Sequence, residues 1–185
     1  MAMTRLPSLI GLASLVAVAG CHSAGPYGFS PTYAPSVEEE KAITGARDYD
    51  PVMFAREPEA WRKSNVTLFG VVTSRAPGPG GAVYMTMSVR KLETRNLCSN
   101  RNDEESCRVT VSDHDFGVVH ALVALRPDDD MGEHSLGAGS LVRVVGSFGE
   151  DTDPNDGAPV MRAAFYRHWP RYFFVTRKSA DLMRQ

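Results

Sequence analysis

Apolar residues recur at every second position in several short runs of this sequence, and that period belongs to half-buried β-strands. The clearest run is AVYMTMSVRKL, with Val83, Met85, Met87 and Val89 on one face and Tyr84, Thr86, Ser88 and Arg90 on the other. NVTLFGVV repeats the pattern through Val66, Leu68 and Val72, and Gly70 inside it marks a bulge or sharp bend. CRVTVSD turns Val109 and Val111 inward, and SLVRVVGSFG groups Val142, Val144 and Phe148. APVMRAAFYRHW is the last long strand, which RYFFVT extends or follows as an edge piece. VVHALVAL, residues 118–125, fits either a helix that is apolar nearly all round or a strand with Val119, Ala121, Val123 and Leu125 on one side. Its β-branched content and the DHDFG turn before it favour the strand. RAPGPGG, RPDDDMGEHSLGAG and EDTDPNDG read as turns and loops. Helix is confined to short pieces, among them one opened by Pro58 that packs Trp61 inward. The whole predicts an all-β domain, a small barrel or sandwich of five or six strands with little helix.

The first residues follow a different rule. Arg5 precedes an apolar stretch from Leu6 to Ala19, too short to span a bilayer as a helix and shaped like a secretory signal. Val18-Ala19-Gly20-Cys21 resembles the bacterial lipobox. That resemblance implies cleavage before Cys21, a diacylglycerol thioether on its sulfur and acylation of the new amine. Two or more acyl chains give stable anchoring, at about 0.8 kcal/mol per buried CH₂. His22 rather than Asp after the cysteine favours the outer membrane, facing the periplasm. The chain therefore divides into a signal peptide (1–20), a lipidated N-terminus and flexible tether (21–50) and a β-barrel domain (51–185). Pro26, Pro31 and Pro35, with the Gly and Ser around them, motivate the tether.

Loss of Arg5 with the signal leaves 19 basic against 22 acidic residues. A net charge of −3 argues against a general nucleic-acid binder, whose affinity rests on neutralising phosphates, so no nucleic-acid partner is expected. With Cys21 lipidated, Cys98 and Cys107 remain as an even pair flanking a polar loop, and a periplasmic or surface address permits a disulfide between them. The rival reading is two free thiols or half of a metal site, for which the further ligands of a structural zinc site are not near in sequence.

The order of the pieces is also familiar. EPEAWRKSNVTLFGVV resembles the lead-in to many bacterial OB-fold domains, LGAGSLVRVVGSF their fourth strand and DGAPVMRAAFY their fifth. With the lipobox, residues 57–170 resemble a cell-envelope OB-like lipoprotein, similar to the starvation-inducible outer-membrane lipoprotein family. The resemblance implies a small OB-like β-barrel and leaves the ligand open. Nucleic-acid-binding OB faces interleave aromatics with Lys or Arg, whereas Tyr84, Thr86, Ser88 and Arg90 offer one ring and one charge.

Candidate chemistry is sparse. Asp113-His114-Asp115 suggests metal ligation or acid-base work, but His120 and His134 are not spaced to join it, and a turn is the simpler reading. DTDPNDG fails the calcium-loop pattern, because the sixth and twelfth places from Asp151 hold Asp156 and Arg162. No G-x-S-x-G elbow is present. FYRHWPRYFF reads as core rings with snorkelling arginines or as an exposed aromatic-basic patch. Residues 128–157 carry eight acids against Arg143, and residues 160–185 six bases against Asp181. These segments either face one another or offer the basic end to an anionic envelope surface.

The expectation is a non-catalytic binding module, with no enzyme activity, no metal and no cofactor, anchored in the membrane through Cys21 and meeting an envelope protein or a glycan. A small-ligand or glycan-binding barrel is the alternative, and a metal-dependent envelope enzyme is weaker still. Its binding surface is placed on Tyr84, Arg90, Arg167, Trp169, Arg171 and Tyr172.

Overall fold

The computed structural model describes residue 27 and residues 30–100 and 102–183. The signal segment and Cys21 lie outside the described residues. In chain order the elements are α1 (Val37–Ile43), β1 (Arg47–Asp48), α2 (Pro51–Arg56), α3 (Pro58–Arg62), β2 (Val66–Pro77), β3 (Val83–Arg90) and β4 (Leu97–Cys98). They continue as β5 (Cys107–Val111), β6 (Val118–Val123), α4 (Pro127–Asp130), β7 (Leu141–Thr152), β8 (Pro159–Trp169), β9 (Phe174–Thr176) and α5 (Ala180–Met183).

Five strands close on themselves. β2 pairs antiparallel with β3, β3 with β6, β7 with β8 and β7 with β2, while β6 and β8 run parallel. This ring is an all-β, OB-like barrel, and residues 118–123 are a strand within it. Period two fills its interior: Val66, Leu68, Val72, Met85, Met87, Val89, Val119, Ala121, Val123, Val142, Val144, Phe148 and Met161 form one buried cluster. Trp61 closes it from α3. Each buried Val, Leu, Met or Phe of this cluster contributes about 1.5–3 kcal/mol by leaving water.

Glycine permits the tight curvature. A Cβ on Gly70 would lie 2.9 Å from Met87 Cβ, so Gly70 is required by close strand approach, and the β2 irregularity falls later, between Val72 and Ser74. At Gly146 a Cβ would sit 2.0 Å from the Arg162 carbonyl oxygen, beside the register shift between Val145 and Gly146. Any side chain there must prise β7 from β8.

A second core lies on the outside of the barrel. CRVTVSD does not join the ring: β5 pairs with β4 and, in parallel, with β9. Val109 and Val111 of that small sheet pack with Phe69, Leu141 and Trp169 from the barrel, and Tyr27, Tyr33 and Phe174 flank them. The Cys98–Cys107 disulfide is present and joins directly opposed positions of β4 and β5. Closing a loop of this length is worth about 2–3 kcal/mol on chain-entropy grounds.

Residues 30–50, expected within a flexible tether, instead dock on the barrel. Ser36 caps α1 and forms a reciprocal capping box with Glu39. Glu39 is fully buried and accepts from Arg143 (2.9 Å), Arg167 (2.7 Å) and the Tyr33 hydroxyl. The reason is electrostatic. Arg143 and Arg167 are directly opposed on β7 and β8, and a carboxylate between them relieves their repulsion.

Candidate binding site

A groove of about 420 Å³ runs between the N-terminal segment, the ends of β2 and β3, and the loop before β6. Tyr49 and Pro51 form one wall, Thr67 to Phe69 the floor, and Val89 to Leu92 with Phe116 the other wall. Its size falls within the usual range for small-molecule sites. Three cations and the Asp48 carboxylate line it, and each cation is held differently. Arg143 lies with its guanidinium 4.9 Å from the Phe69 ring centroid and is paired with Glu39, which Arg167 shares. The exposed Lys91 ammonium stands 4.5 Å from the Phe116 ring centroid, within cation–π range. Arg90 donates through Nη1 to the Asp113 carbonyl oxygen, and its buried Nε has no hydrogen-bond partner. Burial, followed by the nearby Asp50 carboxylate, pushes the Tyr49 phenol up to about 12, so it is neutral at physiological pH.

The expected binding residues do not converge here. Arg90 alone lines the groove. Tyr84 stacks on His120, with centroids 5.1 Å apart, and its hydroxyl donates to Asp153 at 2.7 Å. Arg167 is drawn into the Glu39 cluster. Trp169 is fully buried in the second core, where its Nε1 donates to the Tyr27 carbonyl oxygen at 2.7 Å. Arg171 and Tyr172 are exposed at a turn after β8, with the guanidinium 5.1 Å from the tyrosine ring centroid. FYRHWPRYFF thus supplies core rings through Tyr166 and Trp169, packs Phe173 and Phe174 against the second core, and exposes Arg171 and Tyr172 between them.

Asp113-His114-Asp115 is a structural turn. Asp113 accepts from the Lys178 backbone N–H at 2.9 Å, and Asp115 accepts from Ser88 Oγ and Gly117 N–H, each at 2.7 Å. Hydrogen bonds led by the Thr176 side chain hold the Asp113 carboxyl below its ordinary range.

Sequence reasoning missed Tyr49, Phe69, Lys91, Phe116 and Arg143. Phe69 did carry a signal. It is a large ring at the parity that the Val66, Leu68 and Val72 pattern assigns to the outside of the barrel, so something had to cover it.

No family model and no curated protein matches the chain, so the likeness to starvation-inducible lipoproteins remains one of short motifs. Among solved structures, the chain is similar to a "putative nucleic acid-binding lipoprotein" from Klebsiella pneumoniae subsp. pneumoniae, at 14% identity and TM-score 0.36, over 73% of this chain and 98% of that one. It is also similar to a deletion mutant of the single-stranded DNA binding protein from Thermus aquaticus, at 20% identity and TM-score 0.28, over 56% of this chain and 49% of that one. Both are described as nucleic-acid-binding, and this overturns the expectation of no nucleic-acid partner. That exclusion rested on net charge, a sum over the whole chain. A local field depends on which side chains the fold gathers, and a sum over the whole chain does not report it.

Proposed function

We propose that this protein is a lipid-anchored cell-envelope lipoprotein whose OB-like barrel is a non-catalytic binding module, and that the groove beside Phe116 is its binding site. The observation that carries the reading is the placing of an exposed ammonium, Lys91, which makes no ion pair among the described residues, beside the aromatic walls of a groove large enough for a small ligand. Such a lining suits an anionic ligand that also presents a flat apolar face. Membrane attachment is assigned to the acyl chains that the lipobox-like Val18-Ala19-Gly20-Cys21 implies, and among the described residues no helix is long and apolar enough to cross a membrane. The non-catalytic part of the reading is supported by the disulfide, which leaves Cys98 and Cys107 no free thiolate for attack.

The test places a photo-crosslinking amino acid at position 91 of the full-length protein in living cells, and at the exposed Met131 as a control. A discrete adduct from position 91 that is missing from position 131 is the expected result. Identical adducts from both positions, or none from position 91, would overturn the groove as the site. Anchoring is tested separately: Cys21→Ser should move the protein from the membrane fraction to the soluble one, and unchanged membrane association would refute lipid attachment at Cys21.

A further inference from the structure

DTDPNDG was expected to be only a turn, and it does join β7 to β8 at a hairpin, with Asp153 N–H donating to the Ala158 carbonyl oxygen at 2.9 Å. The turn also carries two carboxylates over the barrel wall to His120 on β6. Asp156 Oδ2 lies 2.9 Å and Asp153 Oδ2 4.0 Å from His120 Nε2, and one donor atom from each residue falls within 4.8 Å of the others. His120 and Asp153 are buried, whereas the Asp156 side chain is 42% exposed and keeps the cluster open to solvent.

Each donor is held by groups outside the cluster. Thr86 Oγ1 lies 3.2 Å from His120 Nδ1, where the hydroxyl can accept the Nδ1 proton and leave the Nε2 lone pair facing the carboxylates. The Tyr84 ring stacks on the imidazole at an interplanar angle of 17° and fixes its plane. Asp153 is oriented by the Tyr84 hydroxyl and the Asn155 N–H, and Asp156 by the Ala158 N–H. The two aspartates reach the same imidazole. Two carboxylates against one imidazole leave negative charge in excess even when His120 is protonated. A tetrahedral zinc ion with bonds of about 2.1 Å holds its ligand atoms about 3.4 Å apart. The present separations from Nε2, 2.9 and 4.0 Å, bracket that spacing.

We infer that His120, Asp153 and Asp156 form a zinc-binding site that ties the β7–β8 turn to β6. One nitrogen and two carboxylate oxygens suit Zn²⁺, while calcium takes six to eight oxygens. Water completes the coordination on the solvent side of Asp156. The site shares no residue with the groove, so it stands whether or not the groove binds a ligand.

The test is zinc titration by calorimetry at pH 7 on the purified full-length protein, expressed without a polyhistidine tag. One zinc ion per chain is expected, with a matching rise in the thermal midpoint. Asp156→Asn, an exposed position where folding is retained, should weaken uptake at least tenfold and abolish the thermal shift. His120→Gln should do the same, and His114→Gln should change neither. Should His120→Gln fail to fold, Asp156→Asn still decides. Absence of zinc uptake would overturn the inference and leave an ion pair only. So would equal uptake by Asp156→Asn, loss of uptake in His114→Gln, or an equivalent isotherm with Mg²⁺ or Ca²⁺ where zinc gives none.

Discussion

Glu39 and His120 each stand at the centre of a charged cluster on the same barrel, and the two clusters are built inversely. Around Glu39, one fully buried carboxylate receives two guanidiniums and a phenol. Around His120, one imidazole faces two carboxylates, one of them substantially open to water. The first is saturated with donors and sealed, so it acts as a fastener between α1 and the β7–β8 wall. The second has acceptors in excess and an open side, so it is receptive to a cation. Whether a cluster of charges holds a fold together or awaits a ligand depends on the balance of donors and acceptors and on access, not on the residue types alone.

The largest effect is expected at Glu39. Glu39→Ala leaves Arg143 and Arg167 opposed without a counter-charge, and removing one partner of a buried pair costs about 3–5 kcal/mol. Urea denaturation measures it, and a loss below about 1 kcal/mol would show that α1 is not a fastener. Acid should act in the same direction. Burial pushes the Glu39 carboxyl up, but hydrogen bonds from Tyr33, Arg167 and Arg143 outweigh it and hold it below its ordinary range. A carboxyl depressed in the folded state contributes stability above its unfolded range, and that stability drains away as pH falls through the folded value. The thermal midpoint of the wild type should therefore fall steeply below about pH 4.5, whereas Glu39→Gln should show a shallower slope there. Equal slopes would place the acid sensitivity elsewhere.

Arg167→Gln is the intermediate case. Glu39 keeps Arg143 and loses one charge-assisted bond, a change of about 1.5–3 kcal/mol in the same denaturation assay. The smallest effect belongs to the other cluster. In the presence of a chelator, Asp156→Asn should alter stability by no more than about 0.5 kcal/mol, as surface changes usually do. A large loss there without metal would make the His120 cluster a second fastener and erase the contrast.

Much of the barrel was legible because its strands alternate. Val83 to Val89 and Val142 to Phe148 point inward as the pattern requires, since one face must leave water. The small sheet of β4, β5 and β9 was not. Val109 and Val111 alternate as barrel residues do, and nothing in period two says which core a strand will enter. The docking of residues 30–50 had a signal, the Ser36-x-x-Glu39 capping box, but the prolines before it masked it. Trp169 was misplaced because an aromatic flanked by arginines has the same composition in a core as on a hot spot. Tyr49, Phe69 and Phe116 converge on the groove from segments far apart in the chain.

Local periodicity, turn residues and paired cysteines pointed to the all-β class and the disulfide, because each depends on neighbours within a few residues, while the strand at residues 118–123 and the Cys98–Cys107 bond were decided by the structure. The tertiary structure alone decided that Glu39 meets Arg143 and Arg167, and that His120 meets Asp153 and Asp156. Those encounters join residues 33 to 128 positions apart. They are set by the closure of the ring and by the register of β7 against β8, and neither quantity is written in any local stretch of sequence.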